Sequence, residues 1–492
     1  MAIRLYNSMK RTKEDLEPRE PGKVSMYVCG VTVYDRSHIG HARCYVAFDV
    51  VYRYLRHRGF AVNYVRNFTD VDDKIIKRAH ELGIPPRDLA SENIGHYHAD
   101  MDRLGCLRPD VEPRVTDHMP QIVETIRAII DNGHGYVADG SVYFDIASFP
   151  TYGRLSGRNL EDMQAGASER VDQDPNKKNP MDFVLWKPSK EGEPAWDSPW
   201  GAGRPGWHIE CSAMSKTHLG AAFDIHGGGK DLVFPHHENE IAQSEAATGV
   251  SPFVRHWMHN GFVNIDAEKM SKSLGNFFTI ADVLERYHPE ALRLFLLGTH
   301  YRSPLNFSDQ NLEEATARLE YFYETLQAVD GAIELGGPEG GELLGGELLG
   351  GVLGRIEAAM DDDFNTALAL GYLSEFAKFA NEMVKRKRKA QGRMESLRRI
   401  RGIFAEVGEI FGVLNGDPRE ELQEICRLDC TRAGIDPAEI QAGIEARTEA
   451  RRNKDFAESD RLRDALCNCG ILLMDNPTGT NWKVSKRGGD DA

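Results

Sequence analysis

The pattern that most constrains the fold is a strand–helix–strand unit in residues 23 to 66 of this 492-residue chain. Residues 23 to 29 alternate between apolar and polar side chains, which is typical of a strand. Residues 42 to 58 carry apolar side chains at helical spacing, and residues 61 to 66 predict a second strand. Because a short crossover of this kind joins parallel strands, the sequence predicts an α/β fold with a doubly wound sheet.

Two candidate ligand-binding features lie just beyond the carboxyl end of the first predicted strand, where such sheets bind their ligands. They are Cys29 and the segment His38-Ile39-Gly40-His41. Gly40 would let the backbone come close to a ligand, and two imidazoles near a helix N-terminus are able to donate hydrogen bonds to phosphate. This segment therefore predicts contacts with a nucleotide.

A second group of reactive side chains lies between residues 206 and 240. Residues 223 to 226 predict a strand, and the glycines at 227 to 229 predict a turn that leads into a helix. Pro235 suits the first helical position, because its missing N–H would be unpaired there anyway. This group would also lie at the carboxyl end of a strand, so it is able to face Cys29 if both strands belong to one sheet.

The side chains of this second group suggest a metal site. A helix that begins at Pro235 would place His236 and Glu240 on the same face. Cys211 could supply a third ligand and Cys29 a fourth, and two thiolates, an imidazole and a carboxylate suit tetrahedral zinc.

Two alternatives stay open from the residues alone. His237 and Glu238 are neighbours of the proposed ligands, and spacing does not choose between the two pairs. The histidines could instead cap or solvate the start of a helix, with Cys211 as a small buried hydrophobic residue.

The acidic group Asp70, Asp72 and Asp73 also allows two interpretations. It could bind a metal ion, or it could cap a helix and place negative charge at the favourable end of the helix dipole. We favour the helix cap.

A lysine- and serine-rich segment runs from Glu268 to Asn276 and contains Lys269 and Lys272. A mobile loop with two lysines could neutralise the charge that develops on a triphosphate. The alternative is an ordinary solvated loop.

The rest of the chain differs in character. Residues 133 to 207 predict an insertion with short strands, and residues 309 to 410 are strongly helical apart from a Gly-rich run at 340 to 351. The end of the chain predicts two helices and a hairpin. Arginines beside Phe456 suit single-stranded RNA, whose bases stack on aromatic rings, although a solvated helix face is the alternative.

Composition narrows the class of protein. Eight cysteines in 492 residues are too sparse for a disulfide scaffold. No apolar run approaches the roughly 18 residues of a membrane span, so we expect a cytoplasmic protein without a membrane partner. The net charge of −16 argues against non-specific binding of nucleic acid through bulk charge.

Taken together, these segments resemble the class I aminoacyl-tRNA synthetases, and among them the cysteinyl-tRNA synthetase family. The narrower resemblance is carried by Met26-Tyr-Val-Cys-Gly30, Asn67-Phe-Thr-Asp-Val-Asp-Asp-Lys74, Gly206-Trp-His-Ile-Glu-Cys-Ser-Ala-Met214, Phe234-Pro-His-His-Glu-Asn-Glu-Ile-Ala-Gln243, Asp363-Phe-Asn-Thr-Ala367 and Gly479-Thr-Asn-Trp482. It extends over nearly the whole chain.

The resemblance implies a role for each matching residue. One zinc ion per chain would be held by Cys29, Cys211, His236 and Glu240. ATP, with Mg²⁺, would contact His38, Gly40, His41, Lys269 and Lys272, and of these the two histidines and two lysines would be catalytic. The substrate cysteine would contact Gly30, Thr32, Thr69, Trp207, His226 and Asp231. The anticodon would be read by Arg447, Arg451, Phe456, Asp460, Arg463 and Asp475.

The resemblance also implies the organisation of the chain. We expect a Rossmann-like catalytic domain over 1–308, with an insertion at about 115–205 and a signature-loop and stem-contact region at about 250–308. A helical bundle would follow over 309–415, with a flexible Gly-rich connection at 336–351. An anticodon-binding module with a disordered tail would occupy 416–492. The partners would be tRNA-Cys, ATP and L-cysteine, and the protein would be a monomer.

Two other functions share part of this pattern. A ligase that joins cysteine to an amino sugar resembles the same catalytic core but should lack the module over 418–484. An RNA-binding relative without catalysis would not need His38, His41 and Lys272 intact. Both alternatives make aminoacylation of tRNA the discriminating measurement.

Overall fold

A computed structural model of the chain describes residues 2–158, 174–265, 268–269, 278–476 and 479–484. The described residues form two units. The first comprises Met1–Ile280, Leu296–Asn306 and Gly354–Gly371, and the second comprises Ala281–Phe295, Phe307–Leu353 and Tyr372–Ala492.

The strands carry labels in chain order. They are β1 Arg4–Asn7, β2 Thr12–Asp15, β3 Lys23–Thr32, β4 Ala61–Thr69, β5 Gly135–Ala138, β6 Ser141–Phe144, β7 Phe183–Pro188, β8 Gly203–Pro205, β9 Phe223–Gly229, β10 Val254–Asn260, β11 Val263–Ile265, β12 Glu268–Lys269, β13 Leu305–Phe307, β14 Ile471–Asn476 and β15 Gly479–Val484.

The helices of the described residues are numbered in the same way. They are α1 Ile39–His57, α2 Asp73–Leu82, α3 Pro86–Arg103, α4 Met119–Asp131, α5 Trp207–Leu219, α6 His236–Thr248, α7 Ile280–Leu284, α8 Pro289–Leu297, α9 Asp309–Glu334, α10 Gly346–Asp361, α11 Thr366–Lys385, α12 Arg393–Phe411, α13 Pro418–Ala433, α14 Pro437–Arg452 and α15 Phe456–Asn468.

A four-stranded parallel sheet organises the first unit. Its order is β10-β9-β3-β4, and every neighbouring pair is parallel. The six residues from Phe223 to Gly228 in β9 are all buried, as expected for a strand covered on both faces. All four strands therefore end at the same edge, which confirms the α/β fold with a parallel sheet.

The insertion predicted between the two halves of the sheet contains strands of its own. They form an antiparallel sheet of order β5-β6-β7-β8. Buried residues of this sheet, including Phe144 and Trp186, belong to one apolar cluster with Ile209 on α5 and Ile241 on α6. This cluster fixes the two helices that carry most of the candidate metal ligands.

The second unit contains most of the helical region that the composition predicted, although residues 354–371 of that region belong to the first unit. The long helix α9 begins at the N-cap Ser308, whose side chain accepts a hydrogen bond from the backbone of Asn311. The connection between α9 and α10 is shorter than the predicted range of 336–351, because α10 already begins at Gly346. The last two helices and the hairpin enclose a small core of Ile440, Ile444, Leu466 and Ile471.

The glycines at 227 to 229 do not form the turn that the sequence predicted. They continue β9 and pair with β10, where Gly227 lies opposite Met258. A Cβ atom on Gly227 would lie 2.3 Å from the ring of Phe48, and one on Gly228 would lie 3.0 Å from the ring of His237. These glycines serve close packing, and α6 then begins at His236, one residue later than predicted.

No helix among the described residues is long and apolar enough to cross a membrane.

Candidate active site and metal centre

Cys29 lies at an irregularity of the central strand β3. Its register with β4 shifts between Val28 and Val31, so Cys29 and Gly30 lie in a β-bulge and not beyond the end of the strand as predicted. The amide of Gly30 donates to Oδ1 of Asn67 at 2.9 Å. A Cβ atom at residue 30 would lie 1.5 Å from the carbonyl oxygen of Asn67, so only glycine fits here.

Four buried side chains converge at this bulge. Cys29, Cys211, His236 and Glu240 each offer a ligand atom, and these atoms all lie within 4.8 Å of one another. The two Sγ atoms are 3.8 Å apart, and Cys29 Sγ is 3.5 Å from Glu240 Oε1. His236 Nε2 is 3.1 Å from the same carboxylate oxygen. The proposed zinc ligands are therefore brought together by β3, α5 and α6.

The distances between these atoms suit a tetrahedral ion. Zinc bonds of about 2.3 Å to sulfur and about 2.0–2.1 Å to nitrogen or oxygen place neighbouring ligand atoms about 3.3–3.8 Å apart. His236 is also oriented from behind, because its Nδ1 lies 2.9 Å from Nδ1 of His208. Such an outer partner fixes which ring nitrogen faces a metal.

The cluster is electrostatically coupled. Burial alone would raise the pKa of Glu240, but His226 and His236 lower it to about 2. Burial alone would lower the pKa of His236, but Glu240 and Cys211 raise it to about 10. The contact with Cys29 lowers the pKa of Cys211 to about 6. Cys211 and Glu240 thus favour their anionic forms, whereas burial and the contact with Cys211 raise the pKa of Cys29.

Glu238 and His237, which the sequence left as alternative ligands, differ in their positions relative to the cluster. Glu238 accepts hydrogen bonds from the backbone amides of Gly153 and Ser156, so its carboxylate is engaged outside the cluster. His237 lies inside it, with Nε2 at 3.4 Å from Cys29 Sγ. Cys29, His226, His237 and Glu240 form a second group of four with ligand atoms within 4.8 Å.

His38 and His41 form the start of α1. His38 is the N-cap, and its Nδ1 accepts from the amide of Gly40 at 3.0 Å. Nδ1 of His41 accepts from the amide of His38 at 3.2 Å, and the two rings stack with centroids 3.7 Å apart. Because both rings accept at Nδ1, each neutral imidazole carries its proton on Nε2, where it is able to donate.

A cavity of about 290 Å³ joins these features in the first unit. Seven of the predicted site residues outside the loop line it together with Cys29. They are Gly30, Thr32, His38, Gly40, His41, Trp207 and Asp231. The ring of Trp207 lies 4.3 Å from that of His236, so the candidate metal cluster adjoins the cavity.

Two predicted substrate contacts lie behind the cavity wall. Thr69 is buried and donates to Glu210 at 3.1 Å, and His226 is fully buried and lies 2.8 Å from Glu240 Oε2. Neither lines the cavity. Their contacts with the substrate therefore stay predictions.

The acidic group after β4 is accounted for by folding. Asp72 is the N-cap of α2 and accepts from the amide of Lys74 at 2.8 Å. Asp70 accepts from the amide and hydroxyl of Thr116. Asp73 pairs with Lys187 and Arg204. The helix-cap interpretation is confirmed for Asp72.

Most of the lysine-rich segment from Glu268 to Asn276 lies outside the described residues. Lys272 lies outside the described residues, as does the end of the chain after Val484. Lys269 lies in the short strand β12, which pairs with β11, and its side chain is outside the described part. The roles of both lysines stay predictions.

The six predicted anticodon residues lie in the last two helices and the hairpin of the second unit. Arg447 is buried and makes two hydrogen bonds to Asp475, at 2.8 and 2.7 Å, and Arg451 lies 3.0 Å from the same carboxylate. Phe456 is 65% exposed at the start of α15. Asp460 and Arg463 are exposed and 3.7 Å apart. The aromatic ring and the charged groups of Arg451, Asp460, Arg463 and Asp475 thus remain accessible to a partner.

Several polar residues of the cavity wall were not predicted as site residues. They include Tyr34, Lys74, Lys230 and Asn260. Lys74 lies over the ring of Tyr34, with Nζ 5.5 Å from the centroid. Asn260 ends β10, so a strand assigned from Val254 onward would have pointed to it. His208 was also missed, although it lies within one of the family-like segments.

Comparison with known families accounts for this geometry. Residues 15–317 match the model of the tRNA synthetases class I (C) catalytic domain. Residues 355–415 match the DALR domain, and residues 437–482 match the cysteinyl-tRNA ligase anticodon binding domain. The fold and the site therefore define a class I aminoacyl-tRNA synthetase.

Full-length relatives narrow the class. A cysteine–tRNA ligase of Pelobacter propionicus is 55% identical over 497 residues, which cover 98% of this chain and 100% of that protein. One of Geobacter sulfurreducens is 52% identical with the same coverage. The chain therefore belongs to the cysteine–tRNA ligase family of enzymes, as the resemblance implied.

Solved structures agree on the fold. A methionyl-tRNA synthetase of Mycobacterium tuberculosis bound by methionyl-adenylate has a TM-score of 0.60 at 18% identity, covering 85% of this chain and 95% of that one. A putative arginyl-tRNA synthetase from Campylobacter jejuni has a TM-score of 0.54 at 15% identity, covering 80% and 94%. At these identities the likeness shows the fold alone.

Proposed function

We propose that the protein activates L-cysteine with Mg-ATP to form cysteinyl-adenylate and pyrophosphate, and then transfers cysteine to the 3′ end of tRNA-Cys. We further propose that it acts as a monomer with one zinc ion bound by Cys29, Cys211, His236 and Glu240. One observation carries the proposal: a buried set of metal ligands adjoins a cavity that is also lined by His38 and His41.

The donor set supports zinc over harder ions. Thiolate and imidazole ligands suit zinc, whereas Mg²⁺ and Ca²⁺ prefer oxygen ligands. A bound zinc ion would supply a soft electrophilic position that accepts a thiol sulfur and binds a hydroxyl poorly. An apolar pocket alone separates substrates that differ by one small group only about 10–200-fold. Metal recognition would therefore provide the selectivity for cysteine over serine.

The chain's own residues would position the reacting groups. The imidazoles of His38 and His41 would donate from Nε2 to the phosphates of ATP, with the dipole of α1 favouring negative charge there. The carboxylate of cysteine attacks the α-phosphorus, and the bond to pyrophosphate breaks. Lys269 and Lys272 would offset the charge on the leaving group.

The rest of the cavity would hold the amino acid. Asp231 would attract its ammonium group, and the ring of Trp207 would cover the side chain beside the metal ligands. Gly30 and Thr32 would bring the backbone of β3 close to the substrate. Thr69 and His226 would act from behind the wall, through Glu210 and Glu240 respectively.

The last module would select the tRNA. Phe456 would stack on an anticodon base, and Arg451 and Arg463 would contact the backbone or base edges. Arg447 would hold Asp475 in position for a base contact. The match of residues 437–482 to an anticodon binding domain supports this assignment over a ligase with a small-molecule acceptor.

The test is the charging of a tRNA-Cys transcript with labelled cysteine, with serine as the competing substrate. We expect cysteine to be charged and serine to be charged at least about a hundredfold more slowly. Cysteine-dependent exchange between ATP and pyrophosphate without charging of tRNA would instead indicate another acceptor.

A pair of cysteine variants links the reaction to the metal cluster. Cys211→Ala should lose cysteine activation, because the proposed zinc ion loses a thiolate ligand. Cys430→Ala is the matched control, because Cys430 is equally buried but lies on α13 in the second unit. Equal activity of the two variants would contradict the proposed role of Cys211.

A further inference from the structure

The buried cluster contains more donors than one tetrahedral ion needs. Six side chains form two groups of four, and Cys29 and Glu240 belong to both. The outer group adds Cys211 and His236, and the inner group adds His226 and His237. All six are buried, with at most 4% exposure.

His237 is oriented as a metal ligand would be. Its Nδ1 lies 2.8 Å from Nε2 of His259, and Nδ1 of His259 lies 2.8 Å from Oγ of Ser8. These two hydrogen bonds fix the ring of His237 so that its Nε2 faces Cys29 Sγ at 3.4 Å. Support of a ligating imidazole through its other nitrogen is a usual feature of metal sites.

His226 completes the inner group, and only one of its two ring nitrogens has a hydrogen-bond partner. Its Nε2 lies 2.8 Å from Glu240 Oε2, while its Nδ1 is buried without a hydrogen-bond partner. His237 Nε2 lies 3.9 Å from Glu240 Oε1, and Cys29 Sγ lies 3.5 Å from that oxygen. The two separations from Oε1 are within about 0.1 Å of the 3.3–3.8 Å that tetrahedral zinc requires, whereas the contact of His226 is with the other oxygen of Glu240.

We propose that the cluster has a second, inner metal position held by Cys29, His226, His237 and Glu240, which overlaps the outer position held by Cys29, Cys211, His236 and Glu240. This inference rests on the proposed function, in which the cluster binds zinc. Because the positions share two ligands, one ion occupies one of them at a time. The outer position has two thiolates and is the stronger site for a soft or borderline ion.

The two positions differ in their access to the substrate. Cys29 lines the cavity and is shared by both positions, but the outer position has a further link to it, since Trp207 lines the cavity and contacts His236. The rings of His226 and His237 pack instead on the buried Trp257, with centroids 4.7 and 5.1 Å away. An ion in the inner position would therefore be held without being offered to a substrate thiol.

The experiment disables one position at a time and counts metal. The full-length protein and each variant are loaded with Zn²⁺, freed of unbound ion and measured for zinc per chain, and X-ray absorption then counts the sulfur ligands. Cys211→Ser should keep about one zinc with one sulfur in place of two. Cys29→Ser should lose zinc, because it removes a ligand from both positions.

A second substitution identifies the residual site. Cys211→Ser combined with His237→Ala should lose the zinc that Cys211→Ser retains. The matched control combines Cys211→Ser with His256→Ala, because His256 is buried on β10 but belongs to neither group. His237→Ala alone should keep zinc with two sulfurs. Cys211→Ala provides a second way to disable the outer position if the serine hydroxyl disturbs folding.

The outcomes separate the two proposals. If the unmodified protein binds zinc but Cys211→Ser binds no more than Cys29→Ser, the inner position is overturned and the outer zinc site stands. Retention of zinc by the Cys211→Ser, His237→Ala protein also overturns it. If the unmodified protein binds no zinc, both proposals are wrong.

Discussion

At the scale of single residues, the bulge at Cys29 decides the geometry of the candidate metal centre. The side chain of Cys29 reaches the cluster because β3 loses its regular pairing with β4 at this point. Asn67 maintains the bulge from the neighbouring strand, since its side chain accepts from Gly30 and its backbone blocks any side chain there. Residue 30 therefore controls the geometry of the candidate metal centre without contributing one of its ligands.

The corresponding prediction is that Gly30→Ala displaces Cys29. The added methyl group would overlap the carbonyl oxygen of Asn67, so the bulge must shift, at an expected cost of about 1–3 kcal/mol or more. We expect a lower melting temperature and less than half of the normal zinc content. Gly95→Ala is a suitable control, because nothing lies within 4 Å of its Cβ position. Normal zinc content in Gly30→Ala would contradict this role.

The ion pair of Asp475 with Arg447 gives a prediction about pH. Hydrogen bonds from Arg447, and then from Thr480, hold the pKa of Asp475 well below its usual value of about 3.9. Its stabilising contribution is therefore complete above about pH 4 and is lost as the pH falls through the lowered folded-state value. Because Asp475 is partly exposed, the contribution should be only about 1 kcal/mol.

Urea unfolding of the protein and of Asp475→Asn, followed between pH 3 and pH 7, measures this contribution. The two proteins should differ by a constant amount above about pH 5, and the difference should shrink below about pH 4. Asp464→Asn is the control, since Asp464 is exposed and pairs only at 3.3 Å with the exposed Arg463. If the difference in the free energy of unfolding instead grows as the pH falls, the ion pair of Asp475 does not stabilise the fold in the predicted way.

At the scale of elements, the start of α2 allows a test of whether the Asp72 carboxylate caps the helix or binds a metal ion. Asp72→Ala removes the N-cap hydrogen bond to Lys74 and should cost about 1 kcal/mol of stability. Asp72→Asn keeps a capping oxygen and should cost less. Thermal unfolding measures the cost, and zinc analysis should show no loss in either variant. Loss of zinc would revive the metal interpretation of this acidic group.

Sequence patterns were sufficient for the elements whose signal is local. The period of the apolar residues indicated β3 and α1, and Gly59 stopped the helix where the structure ends α1 at His57. The carboxyl-edge argument then brought Cys29 near the second cluster, because parallel strands of one sheet end together. The choice of Glu240 over Glu238 needed the resemblance.

The remaining features depend on distant contacts that no local pattern contains. Gly227 and Gly228 have the composition of a turn, but packing against Phe48 and His237 makes them strand residues. The bulge at Cys29 depends on Asn67, 37 residues further on in the chain. His259 supports His237 and in turn contacts Ser8, which lies 251 residues earlier in the chain, so only the folded structure reveals this support.

At the scale of the whole molecule, the net charge of −16 limits how an RNA partner is able to bind. Bulk charge repels a polyanion, so the affinity must come from local cations and stacking in a module such as residues 437–482. The candidate metal centre and cavity lie in the first unit, whereas this module lies in the second. Substitutions in the module should therefore affect tRNA charging without affecting the activation of cysteine.

Phe456→Ala tests this separation most directly. The ring is 65% exposed, so its removal should leave the fold intact, whereas loss of one stacked base should cost about 1–3 kcal/mol. We expect kcat/KM for tRNA-Cys to fall about 5–150-fold, with unchanged cysteine-dependent exchange between ATP and pyrophosphate. Leu335→Ala is the matched control, because Leu335 is equally exposed in the same unit and should leave both activities unchanged. An equal loss in both assays would mean that Phe456 acts on the catalytic unit, and no loss in either would remove it from the anticodon site.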